Sequence, residues 1–292
     1  MRKRCRKLLS FVLTMAMVLS MAAMTAFAAG EAAETGGTQY ATLQEAINHA
    51  NGGTVRLLRD VEESVTVAEG VSVTLDLGGF TLTGKADHTI VNRGVLTVTG
   101  NGTVVNNLGG KAALYTAPTG KSVLSGGTFT GNSWYVIKNL GEMEIDGASV
   151  KQEHTGSSGI ANGYYGNLAT DCNETYPSSA VVKLTIKKGT FNGGMNTVKN
   201  DDFGVLVIEG GSFSNTAGPT ILNWHEATIN GGLLPEAMTE PVFYSVMVKA
   251  PSGEGNLPLQ EETLLEIRVS VPSILICRKS AAAAIARSLL TI

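Results

Sequence analysis

Six short segments repeat one pattern of apolar residues and glycine at a nearly fixed interval: Leu96–Val104 (LTVTGNGTV), Ser122–Phe129 (SVLSGGTF), Met143–Val150 (MEIDGASV), Leu184–Phe191 (LTIKKGTF), Leu206–Phe213 (LVIEGGSF) and Ala227–Leu234 (ATINGGLL). With Leu82 from LDLGGFTL, their last apolar residues fall at 82, 104, 129, 150, 191, 213 and 234. The intervals are 22, 25, 21, 41, 22 and 21, and 41 reads as two repeats. A strand–turn–strand unit that returns this often cannot bury its apolar face alone. It must stack on its neighbours as a solenoid.

The first 28 residues stand apart. Arg2, Lys3, Arg4, Arg6 and Lys7 precede an uncharged apolar run from Leu8 to Met24, and Ala26-Phe27-Ala28 follows. This is the pattern of a secretory signal peptide cleaved after Ala28, with no membrane span expected afterwards. Cleavage leaves 17 basic against 25 acidic residues. An acidic exported chain is unsuited to nucleic acid or anionic membrane, which need clustered Lys and Arg. Cys172 and Cys277 are too few for a disulfide framework.

Residues 29–39 (AGEAAETGGTQ) are small and polar and read as a flexible leader. Thr42–Ala50 (TLQEAINHA) then predicts an amphipathic helix, with Thr42 and Glu45 as a capping box and Leu43, Ala46, Ile47 and Ala50 on one face. Its expected role is to cover the end of the solenoid core. Val65, Val67, Val71, Val73, Leu75 and Leu77 alternate with polar or small residues, as half-buried strands do, and Asp76 alternates outward. Asn92, Asn139, Asn200 and Asn223 precede their anchors by 12, 11, 13 and 11 residues, a step that predicts stacked asparagines at one corner.

Tyr40–Ile47 (YATLQEAI) and Val73–Gly84 (VTLDLGGFTLTG), with the repeat that follows, resemble the pectin-lyase-like superfamily, including secreted bacterial members with surface or adhesin-like roles. The resemblance spans residues 40–236 and implies an all-β, right-handed parallel β-helix of about seven or eight coils behind an N-terminal capping helix. It does not fix function, because the superfamily holds lyases, hydrolases and non-catalytic surface proteins. Residues 151–179 interrupt the repeat with polar, Gly-rich sequence carrying Tyr164, Tyr165 and Tyr176. Residues 237–292 depart from it altogether and read either as a cap or as a truncated end.

A lyase of this superfamily would hold Ca²⁺ on several carboxylates and use a base that is usually arginine. No arginine occurs between Arg93 and Arg268, and no acidic cluster recurs from coil to coil. A polygalacturonase-like hydrolase would carry Gly-His-Gly and Arg-x-Lys motifs, and both are missing. Asn200-Asp201-Asp202 is the nearest approach to paired acids. If Asn200 stacks on Asn223, Asp201 falls under Trp224 and Asp202 under His225, close enough for a carboxylate–imidazole acid/base pair. His49, His88 and His154 have no metal-ligand spacing, and Cys172 has no neighbouring base in sequence.

Trp134, Tyr164, Tyr165 and Trp224 lie in and around the irregular coil, and flat rings with a polar edge stack on sugar faces. The expected function is therefore an exported, non-catalytic interaction protein that meets an extracellular glycan or a surface protein and needs no cofactor. The alternative is a lyase or glycoside hydrolase of acidic polysaccharide, built on Asp201, Asp202 and His225 with Ca²⁺ where a lyase requires it.

Overall fold

The computed structural model describes residues 30–50, 52–165, 170–175, 181–215, 217–232 and 247–248. The expected signal segment, Tyr176, Leu234, Cys277 and nearly all of residues 237–292 lie outside the described residues. The chain winds as a parallel β-solenoid of about seven turns with three faces, each built from one short strand per coil. The first face runs from Thr54–Leu57 through Ser72–Asp76, Val95–Thr99 and Lys121–Leu124 to Glu226–Ile229. The second includes Thr81–Thr83, Thr103–Asn106, Thr128–Gly131 and Ser212–Ser214. The third runs from Val65–Val67 through Tyr135–Asn139, Ser158–Asn162 and Asn196–Asn200 to Met247–Val248. Two long strands, Glu142–Gln152 and Val182–Gly193, pass from the first face to the second without a break.

The repeat anchors form one interior row. Val61, Leu82, Val104, Phe129, Val150, Phe191 and Phe213 pair in direct succession, and all are buried. Phe191 and Phe213 stack at 4.7 Å between ring centroids. Val150 pairs directly with Phe191, so the interval of 41 residues is one coil and not two. That coil keeps a regular third-face strand, Ser158–Asn162, in register with the coils on either side. Its extra length leaves the solenoid after Asn162 and returns at Val182.

The corner between the first and second faces explains the recurring glycine pairs. A Cβ on Gly126 would sit 2.6 Å from the Gly100 carbonyl oxygen, and one on Gly210 would sit 2.3 Å from that of Lys187. The coils are too close there for any side chain.

The asparagine corner forms between the third and first faces. Asn139 Nδ2 donates to Asn162 Oδ1, Asn162 Nδ2 to Asn200 Oδ1, and Asn200 Nδ2 to Asn223 Oδ1, each at 2.7 Å. Asn162, inside the irregular coil, completes a row that the spacing of the other four left broken. In the coil between Asn92 and Asn139, Thr116 holds the position, and its hydroxyl meets Ser122 Oγ, which also accepts from Asn92 Nδ2.

The helix α1 spans Leu43–Ala50 and buries Leu43, Ala46, Ile47 and Ala50. Thr42 caps it by accepting from the Glu45 amide at 3.2 Å. The other free amides are met from the next coil: Glu63 accepts from Leu43 N and Gln44 N at 2.9 and 3.0 Å, an anion at the positive end of the helix. The segment expected to be a flexible leader contains part of a hairpin, Ala33–Thr35 with Thr38–Tyr40, antiparallel to the first-face strand Thr54–Leu57. Gly36 and Gly37 both take positive φ, as the tight turn requires. Small Ala32 and Ala33 fit against the core, so this polar stretch is ordered by strand pairing. Among the described residues no helix is long and apolar enough to cross a membrane.

Candidate functional site

The outward row of the third face reads Tyr115, Lys138, Ala161, Lys199 and Leu222 from coil to coil. Tyr164 and Cys172, in the excursion after Asn162, pack beside this row. Gly163 turns the chain with φ of 100°, and Tyr164 then forms a bridge to Asp202, its amide donating to the Asp202 carbonyl at 2.8 Å. The Tyr164 ring is fully buried in a second apolar cluster with Tyr115, Ala117, Leu140 and Val182, flanked by Cys172 and Phe203. A hairpin, Thr170–Asp171 with Glu174–Thr175, follows, with Cys172 and Asn173 at positive φ in its turn. Glu174 anchors it through a 2.6 Å ion pair with Arg93, and Cys172 Sγ lies 3.3 Å from the Tyr135 hydroxyl. The carboxylate beside Arg93 raises the guanidinium pKa above its ordinary value. Arg93 thus ties the hairpin to the solenoid.

Beside the clamped excursion a compact polar–aromatic group faces outward. Lys199 Nζ lies 2.7 Å from Asp201 Oδ1, with side-chain exposures of 9 % and 2 %. The same ammonium sits 4.3 Å from the Tyr165 ring centroid and 4.0 Å from that of Trp224. The two rings are 6.0 Å apart and tilted by 35°, and Tyr165 is 57 % exposed. A buried charge pair held between two rings fixes ring positions that would otherwise be free to rotate.

The sequence-predicted residues divide accordingly. Tyr165, Trp224 and Asp201 converge, with Lys199 at their centre. Tyr164 is a buried packing residue with no face for a ligand. Trp134 is 68 % exposed but precedes the third-face strand whose other end carries the asparagine corner, about 15 Å away at strand spacing. Its ring lies against Gly110 instead.

Asp202 and His225 do not pair. Strand register is paired only as far as Asn200 and Asn223, and beyond it the Asp202 carbonyl accepts from the Tyr164 amide of the excursion. Asp202 is buried, its Oδ2 without a hydrogen-bond partner, while exposed His225 meets the Phe203 ring at 6.3 Å. Among the described residues no three His, Cys, Asp or Glu side chains converge as a metal site, so the Ca²⁺ of the lyase alternative finds no ligand set there. The hollows lined by Gly100, Gly126 and Ser149, and by Tyr40, His49 and Gly53, contain none of these residues.

Lys199 and Lys138 are the functional positions that sequence reasoning missed. A signal was present: Ile137-Lys138-Asn139 and Val198-Lys199-Asn200 place the same cation before a ladder asparagine. Lys138 Nζ donates to the Gly163 carbonyl at 2.7 Å and so holds the root of the excursion.

His88 has a structural role nearby. It stacks on Tyr115 at 5.0 Å, and its Nδ1 accepts from the Ala112 amide at 2.7 Å. Burial lowers its pKa to about 4; the Asp87 charge pulls the other way and Lys111 adds to the depression. Between this value and the ordinary 6.5 the unfolded chain binds the extra proton, so stability is full above 6.5 and is lost as pH falls towards 4. Urea denaturation across that window should show a loss of about 2–3 kcal/mol. His88→Gln should flatten the slope, and an unchanged slope would refute this assignment.

In comparisons with known proteins, no family model, no curated protein and no solved structure matches the chain.

Proposed function

We propose that this is an exported, non-catalytic β-helix protein of the pectin-lyase-like kind, which meets extracellular glycan on the surface formed by Tyr165 and Trp224. The observation that carries the reading is the locked ring pair. Two aromatic side chains are held at fixed tilt by a buried ammonium–carboxylate pair, on the rigid edge of a solenoid. Aromatic rings give a sugar face apolar contact at little entropic cost when they are already in place. The leading basic and apolar segment supports export, and the acidic mature chain argues for a partner other than nucleic acid.

The catalytic alternative lacks its pair: Asp201 is engaged by Lys199, and Asp202 stands apart from His225. Glycan-array screening of the mature protein, followed by titration calorimetry, tests the proposal. Tyr165→Ala and Trp224→Ala should each weaken binding at least about tenfold, the equivalent of roughly 1.4 kcal/mol. Turnover of a polysaccharide that is lost in Asp202→Asn would replace this reading with the enzymatic one. Neither binding nor turnover would leave a structural spacer.

A further inference from the structure

Among the described residues, the two third-face lysines beside the ring pair are committed inside the protein. Lys199 is held by Asp201 and by both rings, and Lys138 is buried against the Gly163 carbonyl. The excursion from Gly163 to Val181 contributes Asp171 and Glu174 and not one Lys, Arg or His. At the Trp224 end, exposed Glu226 adds a further negative charge beside His225. Lys183 points out of the first face two rungs from Glu226, about 10 Å along the axis.

A uronate or other carboxylated sugar stacked on these rings would give up water around its charge. That loss is offset only where a cation or aligned donors meet the carboxylate. Releasing Lys199 for the purpose would strand the Asp201 carboxylate in a buried position, which costs several kcal/mol. An uncharged sugar ring makes no such demand. Its C–H face lies on the aromatic surface, and its hydroxyls stay at the wet rim.

Resting on the glycan-binding reading above, we infer that the Tyr165–Trp224 surface selects neutral sugars and rejects acidic ones. Lys199 acts as a positioning residue for the rings and not as a carboxylate receptor.

The test titrates the mature chain with neutral gluco-, xylo-, manno- and galacto-oligosaccharides and with oligogalacturonate and oligoalginate, at low and high salt. Wild type is compared with Tyr165→Ala, and Trp134→Ala serves as an exposed-aromatic control. At least one neutral series should bind with an affinity that salt changes by less than about twofold, as expected without an ion pair to screen. Its affinity should fall about tenfold in Tyr165→Ala and hold in Trp134→Ala, and the uronates should bind at least about tenfold more weakly. Tightest binding to a uronate, weakened by salt and lost in Tyr165→Ala, would overturn the selectivity and leave the glycan site standing. Absence of binding to every sugar, or binding indifferent to Tyr165→Ala, would overturn the site itself and this inference with it.

Discussion

Asn200→Ala should destabilise the solenoid by about 3–5 kcal/mol, through several buried groups left unmade at once. The Asn200 side chain is wholly buried and acts as a hub. Its Nδ2 reaches the Gly204 carbonyl at 2.8 Å, Asn223 Oδ1 at 2.7 Å and the Glu226 carbonyl at 2.9 Å. Its Oδ1 accepts from Asn162 at 2.7 Å. Alanine strands donors and acceptors in a place water does not reach. Aspartate keeps the shape but cannot donate, so Asn200→Asp should be no better. Asn223→Ala removes one link of the row rather than two and should cost roughly half as much. Urea midpoints of the three variants decide the matter. Equal, sub-kilocalorie effects would mean that the row is incidental to stability.

Asp201→Ala should cost a comparable amount, about 3–5 kcal/mol, for a different reason. It leaves Lys199 nearly buried with its carboxylate gone, and two aromatic rings compensate a full charge only in part. The informative variant is the double one. In Asp201→Ala/Lys199→Met the stranded charge disappears while the long apolar stem remains between the rings, so the loss should fall well below the sum of the single losses. The chain has two tryptophans, and Trp134 is largely exposed. A change in fluorescence on Asp201→Ala would therefore report on Trp224 leaving its place. Additive losses in the double-mutant cycle would show that the pair is not coupled.

Periodic features were legible in the sequence. The anchor row and the asparagine corner repeat with the coil, so spacing alone locates them, the capping helix shows in its own 3.6-residue apolar face, and the structure places Val104, Phe129, Val150, Phe191 and Phe213 in one continuous interior row. The doubled interval misled because an excursion and an extra coil are equal in length. Only the pairing of Val150 with Phe191 separates them. The site was less legible because it depends on contacts that do not repeat. The Tyr164–Asp202 bridge and the Arg93–Glu174 pair join residues that no periodicity connects. The expected Asp202–His225 pairing extended strand register past its last rung at Asn200 and Asn223, where Asp202 instead bridges to Tyr164 of the excursion.

The excursion also bears on how such a protein could change. Between Asn162 and Val182 the chain carries an inserted segment where the preceding coil turns with Leu140 and Gly141 alone, yet the strands before and after it meet their neighbours in the usual register. Lengthening a closed loop costs only a slowly growing entropy, so this corner behaves as a socket whose contents can be exchanged without rebuilding the wall around it. New recognition properties could be acquired there by swapping one surface segment, while the inherited scaffold goes on folding as before.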